Sequence, residues 1–230
     1  MKRYFPMFDL VLVCGLAILM FLPLCMMGHS ALAQGKSSGE SIKLPPPKYE
    51  SDVSVEKALL ERRSIRSYKE EPLTLNELSQ ILWAAQGITE PTKGLRTAPS
   101  PRAVYLLQLY VLPGNVANLP MGIYKYQPQT HDLIKIADGD KKAELFKAAG
   151  QAPIKNAPVA LVITGLSEKT QNPAWMYLEA GHAAENIYLQ SVSLKLGTVA
   201  MAGFKEDDVR KALNLPDKER VIYIMPIGKK

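Results

Sequence analysis

The spacing of apolar residues changes several times along the chain, and each change predicts a new element. Val55, Ala58 and Leu59 fall on one face of a helix over Val55–Glu61. Thr74-Leu75-Asn76-Glu77 has the form of a capping box, in which a hydroxyl and a carboxylate satisfy the first free N–H groups of a helix. The amphipathic run behind it predicts a helix that ends at Gly87. Ile88–Pro101 carries Gly, Pro, Thr and Ser in turn-forming combinations and reads as a long loop. Val104–Leu112, rich in β-branched, aromatic and aliphatic residues, predicts a buried strand stopped by Pro113-Gly114. Tyr124–Tyr126 and Leu133–Ile136 suit a short hairpin, Lys141–Ala149 a helix, and Pro158–Gly165 a second buried strand.

Asn172–Leu196 is the longest helical stretch. Met176, Ala180, Ala183, Ala184, Ile187, Leu189, Val192 and Leu194 give it apolar residues on nearly every face. Such a helix is central, covered by the rest of the domain or by a partner. Gly197 ends it. Asp207–Leu213 predicts another helix and Val221–Gly228 a last strand. No segment repeats. Helices and strands are mixed without a regular βαβ alternation, which points to an α+β fold.

The N-terminus follows a different pattern. Lys2 and Arg3 precede Leu10–Met27, which is free of charge, and Ala31-Leu32-Ala33 then offers small residues where a signal peptidase cuts. Residues 1–33 are expected to be a secretory signal cleaved before Gln34. The alternative is an uncleaved anchor, since the uncharged run reaches the lower limit for spanning a bilayer. Either way Lys2 and Arg3 stay on the cytoplasmic side and the body is translocated, to the periplasm or beyond. Leu22-Pro23-Leu24-Cys25 has the outline of a lipidation box, but Leu24 is too bulky before the cysteine. Residues 34–50 are polar and then carry Pro45-Pro46-Pro47, so a flexible leader and Pro-rich arm are expected there. Residues 51–230 form the single domain.

Composition removes several kinds of chemistry. The chain has 230 residues and a net charge of +6. The excess is spread without a long basic block, which argues against nucleic-acid binding. Cys14 and Cys25 both lie in the signal, so the body has no disulfide, thiolate nucleophile or cysteine metal ligand. Three histidines, His29 among them in the signal, and no H-E-x-x-H pattern argue against zinc. No Walker loop and no G-x-G-x-x-G after a strand is present.

Arg62-Arg63-Ser64-Ile65-Arg66 is the first candidate site. Three guanidiniums and a hydroxyl make forked donors for a phosphate. Taken alone, the segment reads rather as a solvated basic end to the first helix, where cations suit the dipole.

The order of the other segments bears on that choice. The arginine cluster is followed by Leu75-x-x-Leu78-x-x-Ile81-Leu82-Trp83-Ala84-Ala85-Gln86-Gly87, then by Arg96-Thr97-Ala98-Pro99-Ser100 leading into a strand with Leu109-Tyr110-Val111. Gly181-His182-Ala183-Ala184-Glu185-Asn186 stands ten residues before Gly197-Thr198-Val199. Gly203-Phe204, Leu213-x-Leu215-Pro216 and Pro226-Ile227-Gly228-Lys229 complete the series. Over residues 44–230 this resembles the nitroreductase superfamily, and within it the SagB-type dehydrogenases and thiazole-forming oxidases.

That resemblance implies a central, mostly antiparallel sheet flanked by helices, in a homodimer with a long central helix and two FMN molecules at its interface. It implies that Arg62, Arg63, Ser64 and Arg66 hold the FMN phosphate and ribityl chain. Lys229, where relatives often place arginine, matches a second phosphate contact. Pro99, Ser100 and Pro101 match the loop beside the isoalloxazine ring, and Gly197, Thr198 and Val199 the segment on its other face, where a small residue admits backbone. Two positions depart from the pattern: Arg102 replaces a common glycine, and Glu185 a common glutamine. His182 on its mostly apolar helix reads as a hydrogen-bonded structural residue, and Tyr105, Tyr110 and Tyr177 as core. The implied chemistry belongs to the flavin, so no acid–base dyad is required. The implied activity is FMN-dependent transfer of hydride or electrons from a reductant to a small acceptor such as a nitroaromatic or quinone. An electron-transfer protein without its own substrate and a peptide-azoline dehydrogenase are the alternatives. Cytoplasmic relatives usually take hydride from NADH or NADPH, donors that are scarce outside the cytoplasm.

Overall fold

The computed structural model describes residues 39–230. The expected signal, Lys2 to Ala33, and the first part of the leader lie outside the described residues. No helix within them is long and apolar enough to cross a membrane.

The chain enters as strand β1 (Ser41–Lys43) and passes through helices α1 (Val55–Glu61) and α2 (Leu75–Gln86). A small hairpin, β2 (Ile88–Glu90) and β3 (Leu95–Arg96), precedes β4 (Leu107–Pro113), β5 (Gly122–Gln127) and β6 (Asp132–Asp138). Helices α3 (Lys141–Ala149) and α4 (Ala152–Asn156) lead to β7 (Val159–Leu166). The long α5 (Ala174–Ser193), then β8 (Leu196–Thr198), α6 (Glu206–Ala212) and β9 (Glu219–Lys229), complete the order.

Seven strands form one sheet in the order β1-β6-β5-β4-β7-β9-β8, and every pairing in it is antiparallel. Side chains alternate across it, as the pleat requires. From β4 and β7, Leu107, Leu109, Val111, Val159, Leu161 and Ile163 pack on one face with α2 and α5. Tyr110, Leu112, Ala160 and Val162 pack on the other with α3, α4 and α6. Both faces are therefore covered, which is why these strands read as nearly continuous apolar runs.

The capping box is present: Thr74 Oγ1 accepts from the Glu77 N–H and Glu77 accepts from the Thr74 N–H. One polar cluster sits inside the second core. Tyr110 donates to Glu219 at 2.8 Å and Thr164 donates to it at 2.6 Å. Burial and the adjacent Glu219 push the Tyr110 phenol well above its ordinary pKa, so it stays a donor.

Several elements differ from the sequence reading. The expected loop over Ile88–Pro101 contains the β2–β3 hairpin. Part of the expected flexible leader is held down, since β1 pairs with β6 and Lys48 exchanges hydrogen bonds with Gln80 of α2. His131 fastens the same arm: its Nε2 lies 3.1 Å from the Pro45 carbonyl and 2.8 Å from Ser79 Oγ, and its Nδ1 lies 2.8 Å from Tyr126 OH. Helix α5 stops at Ser193, because Lys195 adopts a left-handed φ of 58°. The residues beyond it form β8. Tyr110 is core as expected, but Tyr177 is half exposed.

Candidate functional site

The arginine cluster begins where α1 ends. Arg62 is the C-cap residue, its N–H donating to Ala58 O. Arg63 turns back and donates from Nη1 to the carbonyls of Leu60 and Arg62, the capping role open to a cation at a helix C-terminus. Residues 64–66 then run alongside β8. The Ile65 N–H donates to Thr198 O at 2.9 Å, and Ser64 and Thr198 form a parallel bridge. A Cβ on Gly197 would stand 2.6 Å from the Ile65 side chain. Glycine at 197 therefore admits the cationic segment. Gly197, Thr198 and Val199 are themselves buried, and Thr198 Oγ1 donates to Pro226 O.

Lys229 reaches the same edge of the sheet. Tyr68 donates to Ile65 O and Pro226 O, and the Lys69 N–H donates to Lys229 O. A Cβ on Gly228 would meet Tyr68 at 2.8 Å. The two cationic ends of the domain are thus stitched together by the Tyr68 hydroxyl and a backbone bond. Their side chains differ in availability. Lys229 Nζ is paired with Glu77. Burial works against the Glu77 charge, but hydrogen bonds from Lys229 and Thr74 hold its carboxyl below its ordinary pKa. Arg66 is exposed and, among the described residues, has no ion-pair partner.

Tyr188 of α5 is a hub that the sequence reading missed. Its hydroxyl is 3.0 Å from Ser64 Oγ and accepts from the Ala200 N–H at 2.8 Å. The Arg62 guanidinium sits 5.1 Å from the centre of its ring. Arg62 is also 4.0 Å from Glu185, one turn earlier on the helix. The departure at Glu185 therefore gives Arg62 a half-exposed carboxylate neighbour.

The second candidate segment, Pro99-Ser100-Pro101, rests on the other half of α5. His182 is exposed, with Nδ1 3.1 Å from Pro99 O. Ser100 Oγ donates to Glu179 at 2.7 Å and accepts from the Tyr105 N–H at 2.9 Å. Glu179 is fully buried. It also accepts from the Leu106 N–H at 3.0 Å and, more distantly, from Gln86 at 3.5 Å. Gln86 in turn accepts from Arg96 at 2.8 Å, and the Arg96 guanidinium stacks 4.5 Å from the Tyr105 ring centre. Burial lowers the Arg96 pKa.

Within this loop Arg102, Ala103 and Tyr105 all have φ between 53° and 55°. Position 102 is thus one that glycine would occupy without strain, and Arg102 holds it at a cost. The loop and the cationic segment meet the same helix. Their contacts at His182 and Tyr188 are about 9 Å apart along its axis. Among the described residues no group of three or more His, Cys, Asp or Glu could hold a metal ion.

Sheet and covering helices together define an α+β fold. A nitroreductase-family model matches residues 59–229. A provisionally named nitroreductase of Methanocaldococcus jannaschii is 38% identical over 84% of this chain and 98% of its own. A solved, provisionally named nitroreductase of Ralstonia eutropha is 30% identical, covers 84% of this chain and 90% of that one, and superposes with a TM-score of 0.73. A Desulfovibrio desulfuricans protein solved in complex with FMN shares the fold at 20% identity, with a TM-score of 0.58 over 77% of this chain and 87% of that one. The chain belongs to the nitroreductase family.

Proposed function

We propose that this protein is an exported FMN-dependent oxidoreductase, working as a homodimer, that passes hydride or electrons from a reductant to a small organic acceptor. The observation that carries the reading is the stitched edge: Arg62, Ser64 and Arg66 present forked and hydroxyl donors on a segment fixed by Thr198 and by the end of β9. That donor set fits a phosphate dianion. Arg62, Ser64 and Arg66 would hold the phosphate. Arg63 fixes the helix end behind them, and Lys229 adds positive field while tied to Glu77. Bound FMN supplies the redox chemistry.

Pro99 to Pro101 would flank the ring, with Ser100 positioned by Glu179. Gly197 to Val199 act by supporting the phosphate segment. The FMN complex of the Desulfovibrio protein supports the choice of cofactor.

A partner copy would cover an open face. Leu59 and Leu60 of α1 and Tyr177 and Leu178 of α5 are each at least half exposed. Nothing lies within 4 Å of where a Gly181 Cβ would stand on the same helix. Burying the part of such side chains that is still exposed contributes about 1–2 kcal/mol each. Export rests on Lys2-Arg3, the uncharged run and Ala31-Leu32-Ala33. An exported enzyme would draw on a donor other than NADH or NADPH, or oxidise its own substrate and pass electrons onward.

Purification of the chain from the periplasmic fraction tests the reading. A yellow dimer beginning at Gln34 and releasing FMN on denaturation is expected. A colourless protein that takes up no added FMN would overturn it.

A further inference from the structure

Strands β4 and β5 pair only at Tyr110–Lys125 and Val111–Tyr124. Beyond that short ladder, Leu107 to Leu109 and Tyr126 to Gln127 line a cavity of about 200 Å³. Gln86 from the end of α2, with Arg96, Tyr105 and Lys169, lines it too. Its walls hold two cations, Arg96 and Lys169, and no carboxylate.

Arg96 is held as a binding group would be. Tyr105 supports its plane and Gln86 takes its Nη1. Its Nε is buried without a partner, and among the described residues its Nη2 donates to no protein group. Two carboxylates near the cavity have partners of their own. Glu179 lies behind Gln86, where its charge acts on Arg96 without touching it, and takes up Ser100 and the Leu106 N–H, and Glu168 pairs with Lys218. The guanidinium thus faces the cavity with its charge unmatched by any carboxylate in direct contact. A buried or half-buried cation in that condition favours an anion strongly.

We propose that this cavity binds a small hydrophilic carboxylate, seated on Arg96, with its far end toward Lys169 and the glutamine amides of Gln108 and Gln127. At roughly 30 Å³ per water-sized group the volume admits about seven non-hydrogen atoms. The site does not depend on flavin binding. Its residues are separate from the proposed phosphate segment, so its failure would leave that reading intact.

Calorimetric titration of the purified full chain with malonate and with its neutral isostere malonamide, at constant ionic strength, tests the proposal. Saturable malonate binding at one site per chain is expected, with malonamide at least tenfold weaker. Arg96→Gln should weaken malonate about tenfold or more. Because Arg96 also supports Gln86, the exposed Lys169→Glu serves as a second variant. It should weaken malonate several-fold while leaving the thermal midpoint unchanged. Equal weak binding of malonate and malonamide would overturn the proposal, as would malonate affinity unchanged in both variants.

Discussion

The arginine segment and the Ser100 loop lie on the two halves of one helix, yet they are built in opposite ways. The arginine segment keeps its polar groups at the surface: Arg63, Ser64 and Arg66 are exposed, and the backbone behind them is fixed by ordinary strand-like bonds to β8 and β9. The loop places its polar anchor inside. Glu179 is fully buried and accepts from a hydroxyl, a backbone N–H and an amide, while three non-glycine residues above it carry left-handed backbone. Exposed charge can be removed at little cost to the fold, and is therefore free to serve a ligand. A buried carboxylate serves the fold first, and the strained loop persists only because the network over-determines it. Function should separate from stability in the first region and be bound to it in the second.

The largest effect is expected at Glu179. Glu179→Ala leaves Ser100 and the Leu106 N–H without an acceptor in a dry site, which should cost about 3–5 kcal/mol of unfolding free energy in urea titrations. A loss below about 1 kcal/mol would mean that the network is not what holds the loop. In the arginine segment the balance reverses. Arg66→Ala should leave stability within about 0.5 kcal/mol of the parent while weakening FMN by about 1.5–3 kcal/mol in a fluorescence titration. A variant that unfolds more easily but binds FMN normally would erase the contrast.

His131 sharpens the comparison at a third place, where the arm is fastened. Burial lowers its pKa from the ordinary 6.5, and Ser79, the Pro45 carbonyl and Tyr126 surround its ring nitrogens, with Lys43 and Asp132 as nearby charges. The unfolded chain then takes up the proton first. Stability from this group is full above pH 6.5 and is lost as pH falls from there toward the lower folded value. The urea midpoint should fall between pH 7.5 and 5, and His131→Gln should flatten that slope. A slope unchanged by the substitution would show that other groups set it. The smallest effect is expected at Arg102. Glycine relieves a φ of 55° but frees the unfolded chain, so Arg102→Gly should stabilise by about 0.5 kcal/mol in the same urea assay. Destabilisation would mean that the Arg102 side chain holds the loop.

Much of this was readable in the residues. The capping box at Thr74 and Glu77, α1, α3, the β5–β6 hairpin and the two buried strands follow from local pattern, which the sheet and its covering helices then reinforce. The elements that escaped are those whose reason is distant. Ser41–Lys43 has no strand pattern of its own and exists because β6 offers an edge. β8 hides in the apolar tail of α5, since only the left-handed Lys195 and the close approach of Ile65 to Gly197 separate the two. The same division holds at the site. The arginines announce themselves by charge, and Ser100 by its place in a family pattern. Glu179 and Tyr188 do not, because their partners are supplied by segments far away in the chain. One signal was available: a carboxylate at Glu179 between Met176, Ala180 and Ala183, on the face of α5 that faces the core, needs buried donors wherever it lands.

The central claim is that the edge formed by Arg62, Ser64 and Arg66 exists to hold a phosphate, and comparison of FMN with riboflavin tests it most directly. The two ligands share the ring and differ in the phosphate, so their affinity ratio for the flavin-free protein isolates that group. FMN should bind at least tenfold more tightly than riboflavin, and the ratio should fall toward one in the Arg62→Ala, Arg66→Ala double variant while its fold persists. Equal affinity of the unaltered protein for the two ligands, or a ratio that survives in the double variant, would contradict the account.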